Sequence, residues 1–308
     1  MTQPLSFHAV GLNDLQLHRK HAGNLLGMNC DLNFMNIFSW QFLYQTEVAE
    51  RQDLLVYRFV ADGHTAYMMM CDKGRIGEVL DLLVEEAGSM NHPFLLMGVN
   101  EETLPMIEAA RPDYFMYEYN RNYCDYIYRR ESLATLTGKK LQPKRNHVNK
   151  FCKSYPGYEY HPLTPNLFDA CLDLDAQWMD QEADEQLPAV RNERLSMMRV
   201  FENWEQLGGL GGAVTVNGEL VAFTYGAEIS PRVFDVCVEK AHPFYEGAFA
   251  LINRDFVRHL PEQYELINRE EDLGLEGLRK SKLSYRPEVI LKKYAVMARH
   301  HFHDGKVI

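Results

Sequence analysis

YELINREEDLGLEGLRKSKLSYRP, residues 264–287, is the stretch on which the reading of this chain turns. Tyr264, Leu266 and Ile267 read as a short apolar strand. A charged knot follows, Asn268-Arg269-Glu270-Glu271-Asp272, then a turn at Gly274 and a basic helix that stops before Pro287. An apolar core rejects carboxylates and cations unless they are paired. These side chains are therefore solvated, paired with one another, or turned to a ligand, and the local pattern leaves the three open.

Working outward, EVILKKYAVMA (288–298) reads as one final strand. Upstream, AFALINRDFVRHL (248–260) is a helix that turns Phe249, Ile252, Phe256 and Leu260 inward. Before it lie three strands of a meander, GGAVTV (211–216), ELVAFTYGAEI (219–229) and RVFDVCVEKA (232–241). Asn217-Gly218 and Ser230-Pro231 supply the turns. Helical patterns precede them, from Pro165-Asn166 through Trp178 and over 189–207.

The first half repeats the order. Helical spacing over 12–45 includes Leu15, Leu25, Leu26, Phe34 and Phe38. A hairpin over 53–71 turns at Asp62-Gly63, and a helix spans 76–90. A buried strand (94–99), a short helix (102–110) and two Tyr-rich strands around Asn120-Arg121-Asn122 complete it. Two such halves predict an α/β chain of the mixed-sheet, α+β kind, with helices flanking two sheets, rather than one doubly wound parallel sheet. The expected division is 1–131, a basic linker helix at 132–157, and 158–308.

With 308 residues, two domains are the natural expectation. No apolar run is long enough to span a bilayer. The N-terminus lacks the basic start and apolar core of a signal peptide. The six cysteines show no CxxC spacing, which predicts reduced thiols in a cytoplasmic protein and no structural metal. A net charge of −11 argues against a general nucleic-acid coat, and no DNA partner is expected.

Residues 132–154 depart from that acidic balance. Lys139, Lys140, Lys144, Arg145, Lys150 and Lys153 face no acid after Glu131. Pro143 suits the first turn of a helix, which sets Lys144, Arg145 and Asn146 near its N-terminus, where anions are favoured. The run is a solvated linker or a cationic element that meets a phosphate or carboxylate. Asp173, Asp175, Asp180, Glu182, Asp184 and Glu185 form an acidic run without calcium-loop glycines, expected as a solvated face or a counterpart to the basic segment.

LTGKKLQPKRNHVNKF (136–151), FYEGAFALIN (244–253) and INREEDLGLEGLRKSKLSYRP (267–287) carry a resemblance. The β-β-β-α-β-α-β order of 211–298 resembles the GNAT acyltransferase fold. The whole chain resembles a bacterial family grouped with the phosphatidylglycerol lysyltransferase C-terminal domain, a tandem-GNAT relative of the Fem-type aminoacyl transferases. That resemblance implies transfer of an acyl or aminoacyl group to an amine or hydroxyl acceptor, with an aminoacyl-tRNA or an acyl-coenzyme A as donor. The substrate is then a small molecule or a tRNA-borne group. The alternatives are a coenzyme A-dependent N-acyltransferase of a small amine and a non-catalytic ligand-binding relative.

Residue by residue, the resemblance implies Tyr285 as general acid and Lys282, with Lys280 beside it, as the lysines before the family's proline. Glu270 and Asp272 are candidates for taking a proton from the attacking amine. Lys144, Arg145, Asn146, Lys150, Asn268 and Arg269 are candidate substrate contacts, and Asn253 is a further polar pin. Glu246, Gly247 and Ala248 stand where coenzyme A enzymes cradle a pyrophosphate. The chain departs from that loop, because Phe244 and Phe249 replace its outer positions and only the central glycine remains. Lys144, Arg145, Asn268, Glu270, Lys282 and Tyr285 are expected to converge on one concave surface, with Gly247 at its edge. No nucleophile elbow, P-loop, HExxH or dinucleotide glycine motif points to other chemistry.

Overall fold

The computed structural model describes residues 5–23, 27–179, 187–303 and 306–307. Residues 1–4, Leu25 and Leu26, and Asp180, Glu182, Asp184 and Glu185 of the acidic run lie outside the described residues. The chain forms two compact units, residues 1–125 with 291–308, and residues 126–290.

The first unit is built on β1 (His8–Ala9), β2 (Glu47–Arg51), β3 (Leu54–Ala61), β4 (His64–Met70), β5 (Leu95–Val99) and β6 (Phe115–Tyr119). The second is built on β7 (Asp125–Arg129), β8 (Tyr158–Pro162), β9 (Leu210–Val216), β10 (Glu219–Ser230), β11 (Val233–Ala241), β12 (Leu266–Asn268) and β13 (Val289–Leu291). A further strand, β14 (Tyr294–Ala298), belongs to the first sheet, and β15 (Phe302–His303) and β16 (Lys306–Val307) pair in a small hairpin after it. The orders are β1-β2-β3-β4-β5-β14-β6 and β13-β7-β12-β11-β10-β9-β8. Each sheet mixes antiparallel neighbours with a parallel pair, β4 beside β5 and β11 beside β12. Two mixed sheets flanked by helices are thus present.

The single strand expected over 288–298 is two strands in two sheets. Val289–Leu291 edges the second sheet, while Tyr294–Ala298 inserts between β5 and β6 of the first. The break falls at Lys292-Lys293. The Lys293 ammonium is buried and held by Asp31 at 3.0 Å and Asp125 at 2.9 Å. A strand carrying a buried, doubly paired cation cannot run on unchanged through an apolar sheet. Short strands also escape the sequence pattern, β2 and β8 among them. β2 is half polar, and β8 is an edge strand in which Pro162 is tolerated.

Each unit has its own core. The first packs Val56, Tyr67, Leu80, Leu83, Phe94 and Phe115 and takes Val296 and Ala298 from β14. The second gathers Tyr126, Tyr128, Phe151, Val214, Phe234, Leu251, Phe256 and Tyr285. The helix Gln142–Ser154 buries Val148 and Phe151 in this second core. The basic segment is therefore an integral helix of the second unit. Asp175 of the acidic run is buried beneath Lys240 (2.6 Å) and Arg194 (3.0 Å), a structural ion cluster where a solvated face is expected.

Candidate functional site

In the second sheet, β11 and β12 pair only from Val233–Leu266 to Asp235–Asn268. Beyond that point β11 continues to Ala241, whereas the other chain turns away into the charged knot. The opposite edge of β11 is distorted at the same level, because the β10–β11 register shifts between Tyr225 and Gly226. Gly226 is required there, since a Cβ would lie 1.7 Å from the Asp235 carbonyl oxygen. Bulges re-aim side chains at such places. An opening results between two strands that start as neighbours.

Glu239, on the unpaired part of β11, reaches into this opening. Along β11, Phe234 and Val236 face the core; the register shift leaves Cys237 as an extra residue, so beyond it Glu239 comes onto the same side as the core residue Ala241, toward the helix that carries Asn253. One Glu239 oxygen accepts from Arg269 Nη2 at 2.8 Å and the other from Asn253 Nδ2 at 2.9 Å. Arg269 follows β12 directly, and its backbone N–H is fixed on the Tyr126 carbonyl. Asn253 comes from the helix Ala248–His259 and is 1% exposed. Arg269 Nη1 and Asn253 Oδ1 are buried and have no hydrogen-bond partner among the described residues. A buried donor or acceptor left open costs about 1–3 kcal/mol, so this donor and acceptor are fitted to take a water or a ligand group.

Tyr285 forms the floor. The Arg269 guanidinium lies 4.8 Å from its ring centroid and the Lys144 Nζ 4.1 Å. Burial pushes the Tyr285 phenol well above its ordinary pKa, against the pull of Arg269, so it keeps its proton at neutral pH. Lys144 moves the other way. Burial and then the neighbouring Arg269 cation lower its amine to about 8, with Glu239 only partly opposing them.

The expected residues divide in three. Lys144, Arg269 and Tyr285 come together as described. Asn268, Glu270, Asp272 and Lys282 shape the knot. Asn268 Oδ1 accepts the Glu270 N–H at 2.6 Å, and Asp272 Oδ1 accepts the Gly274 N–H at 2.9 Å. Arg279 and the Tyr126 hydroxyl also bind the Asp272 carboxylate. Burial alone would raise Asp272, but these donors win and hold it well below the usual carboxylate range. The Lys282 amine is buried and donates to the carbonyls of Arg269 and Glu271. Glu270 and Leu273 take positive φ (53° and 52°), so the knot is strained as well as charged.

The third set looks elsewhere. Arg145 folds back on the carbonyls of Leu136 and Gly138. Asn146 accepts from the Gln142 amide at 2.8 Å, and Lys150 pairs with Glu246 at an exposed position. Lys280 is exposed. Gly247 has φ +94°, and a Cβ there would lie 2.3 Å from the His147 carbonyl oxygen. Its smallness lets the loop before the helix touch the Gln142–Ser154 helix. Ala248 is buried in the same contact region.

Glu239 is the residue that sequence reading passes over. The two-residue period sets it on the face of Asp235 and Cys237, and the register shift at Cys237 turns it to the opposite one. Asp235, Cys237 and Glu270 also bring one potential ligand atom each within 4.8 Å of one another. Burial first, then Asp235 and Glu270, push the Cys237 thiol well above its ordinary pKa, which disfavours the thiolate a metal would need.

The profile of the family described as phosphatidylglycerol lysyltransferase, C-terminal, matches residues 24–297. The chain belongs to this family. A conserved protein of unknown function from Bacteroides thetaiotaomicron is similar at 44% identity and TM-score 0.92, over 96% of this chain and 99% of that one. L-PGS from Bacillus licheniformis superposes with TM-score 0.67 at 13% identity, over 94% and 92% of the two chains. A tandem GNAT protein from the clavulanic acid biosynthesis pathway superposes with TM-score 0.50 at 12% identity, over 96% and 98%. An uncharacterized protein of Mycoplasmoides gallisepticum is 27% identical over 173 residues, and the match spans 56% of this chain and about half, 55%, of that protein. The fold of this family member is therefore the tandem-GNAT, acyltransferase-like one. No helix among the described residues is long and apolar enough to cross a membrane.

Proposed function

We propose that the protein transfers an aminoacyl group to an amine or hydroxyl acceptor, and that the opening between β11 and β12 holds the reacting group. One observation carries this reading. Arg269 Nη1 is an open buried donor and Asn253 Oδ1 an open buried acceptor, both on side chains already tied to Glu239. An aminoacyl group presents a carbonyl oxygen for the first and an N–H for the second, with the Glu239 carboxylate next to its amino group. A plain acyl chain would leave Asn253 open, at the cost of an unpaired buried acceptor.

The donor we propose is an aminoacyl-tRNA. Lys139 and Lys140 are exposed beside the helix that carries Lys144, a setting suited to phosphates of an acceptor stem. Acyl-coenzyme A is less supported, because Gly247 is accounted for by its contact with His147 and Glu246 by its pair with Lys150. Tyr285, protonated at neutral pH, suits the delivery of a proton to the leaving oxygen. All six cysteines are free thiols, which supports a reducing compartment such as the cytoplasm.

The test uses total bacterial tRNA charged with radiolabelled amino acids, incubated with the protein and either phosphatidylglycerol vesicles or a panel of small amines. Label should leave the tRNA and appear in the lipid or the amine fraction. If the label stays on tRNA with every acceptor while acetyl-coenzyme A supports transfer, the aminoacyl reading fails.

A further inference from the structure

Two cations share the Tyr285 ring. Arg269 keeps its proton at all accessible pH values and is neutralised by Glu239 at 2.8 Å. Among the described residues, no carboxylate forms an ion pair with Lys144. It faces the Tyr285 ring from the segment after the Glu276–Ser284 helix, Arg269 from the knot and, farther off, Glu239 from β11. An aromatic ring attracts a desolvated cation, but two cations on one ring also repel each other, and the Arg269 charge disfavours the Lys144 ammonium. Of the two, only the amine can yield its proton near neutrality. Lys144 thus gives up its proton near pH 8, so that a minority is the neutral amine at pH 7, and it shares the Tyr285 ring with Arg269, whose Nη1 is open.

Resting on the transfer reading above, we infer that Lys144 is the proton acceptor of the transfer step, with Arg269 Nη1 as the donor to the oxyanion. The acceptor nitrogen or oxygen attacks the donor's carbonyl carbon. As that bond forms, the carbonyl π pair moves onto its oxygen, where the Arg269 Nη1–H receives it. The proton of the attacking atom passes to the Lys144 Nζ, converting the amine to an ammonium. On collapse the carbonyl re-forms, the bond to the tRNA ribose oxygen breaks, and that oxygen leaves with the electron pair and a proton. The proton comes from the Lys144 ammonium directly or through the Tyr285 hydroxyl, which the ammonium then reprotonates. Atoms and charge balance without a further reactant.

Two variants separate this role from simple anion binding. Lys144→Met removes the base and the charge. Lys144→Arg keeps the charge but cannot accept a proton near neutrality. With the charged-tRNA assay, both should lose about 100-fold or more in rate, and the wild-type rate should rise along a limb near pH 8 that the variants lack. Independently of any substrate, trace acetic anhydride labelling across pH, read by mass spectrometry, should half-label Lys144 near pH 8, whereas exposed lysines follow the ordinary value of about 10.4. Wild-type transfer that survives in Lys144→Arg overturns the inference, as does a Lys144 labelling profile that coincides with the exposed lysines. Absence of transfer by the wild type overturns the transfer reading itself, and the base assignment with it.

Discussion

Glu239 holds Arg269 at 2.8 Å across the opening where β11 and β12 separate, and the two side chains are only 11% and 10% exposed. Desolvation makes such a pair costly to break from one side, since the remaining charge is left buried without compensation. Glu239→Gln should destabilise the second unit by about 3–5 kcal/mol, read as a shift in the urea midpoint. The double variant Glu239→Gln/Arg269→Met should recover much of that loss. If the double variant is as unstable as the two single losses summed, the pair is not the source of the effect.

Asp272 couples the knot to pH. Its folded-state pKa is depressed by Arg279, Tyr126 and the Gly274 N–H, which outweigh burial. Stability from this carboxylate is fully present above its unfolded value, about 4, and drains away as pH falls below that toward the folded value. Wild type and Asp272→Asn should therefore differ most in urea midpoint at pH 7 and converge in strong acid. An equal gap at pH 7 and pH 2 would contradict the assignment.

Gly247→Ala tests whether this glycine serves packing. The new Cβ meets the His147 carbonyl at 2.3 Å, and the backbone sits at φ +94°. A loss of roughly 2–4 kcal/mol is expected from clash and left-handed strain together, visible as a lower Tm. A glycine kept only for close approach of a donor phosphate would instead leave Tm unchanged and raise the donor KM.

Lys282→Met removes the buried amine that caps the carbonyls of Arg269 and Glu271. Leaving them open should cost about 1–3 kcal/mol for each carbonyl that finds no water. Amide hydrogen exchange should rise over residues 269–274 and stay unchanged in the meander strands β9 and β10. Uniform protection across the knot in the variant would mean that Lys282 is not its clasp.

Much of the architecture is legible because it rests on local chemistry. Asn217-Gly218 and Asp62-Gly63 take positive φ in the turns where the sequence places them. The meander, its following helix, and the helix Gln142–Ser154 with proline in its first turn also follow from period and capping residues. The structure divides the single strand expected at 288–298 between two sheets, for a physical reason. Period two persists across Lys292-Lys293, and nothing local announces that Asp31 and Asp125 will draw Lys293 inward.

The candidate site divides along the same line. The sequence by itself determined that carboxylates, cations and Tyr285 crowd one strand-to-helix junction, and that Lys144 opens a basic helix. Composition and spacing suffice for that, since they are properties of neighbours in the chain. Tertiary structure alone decided which of those charges are spent on the fold. It assigned Asp272 to Arg279 and Lys282 to two backbone carbonyls, and turned Arg145 back on its own loop. It also brought Glu239, thirty residues before Arg269, to the opening. A charge becomes structural or available only through its desolvation and its partners, and both are set by segments distant in sequence.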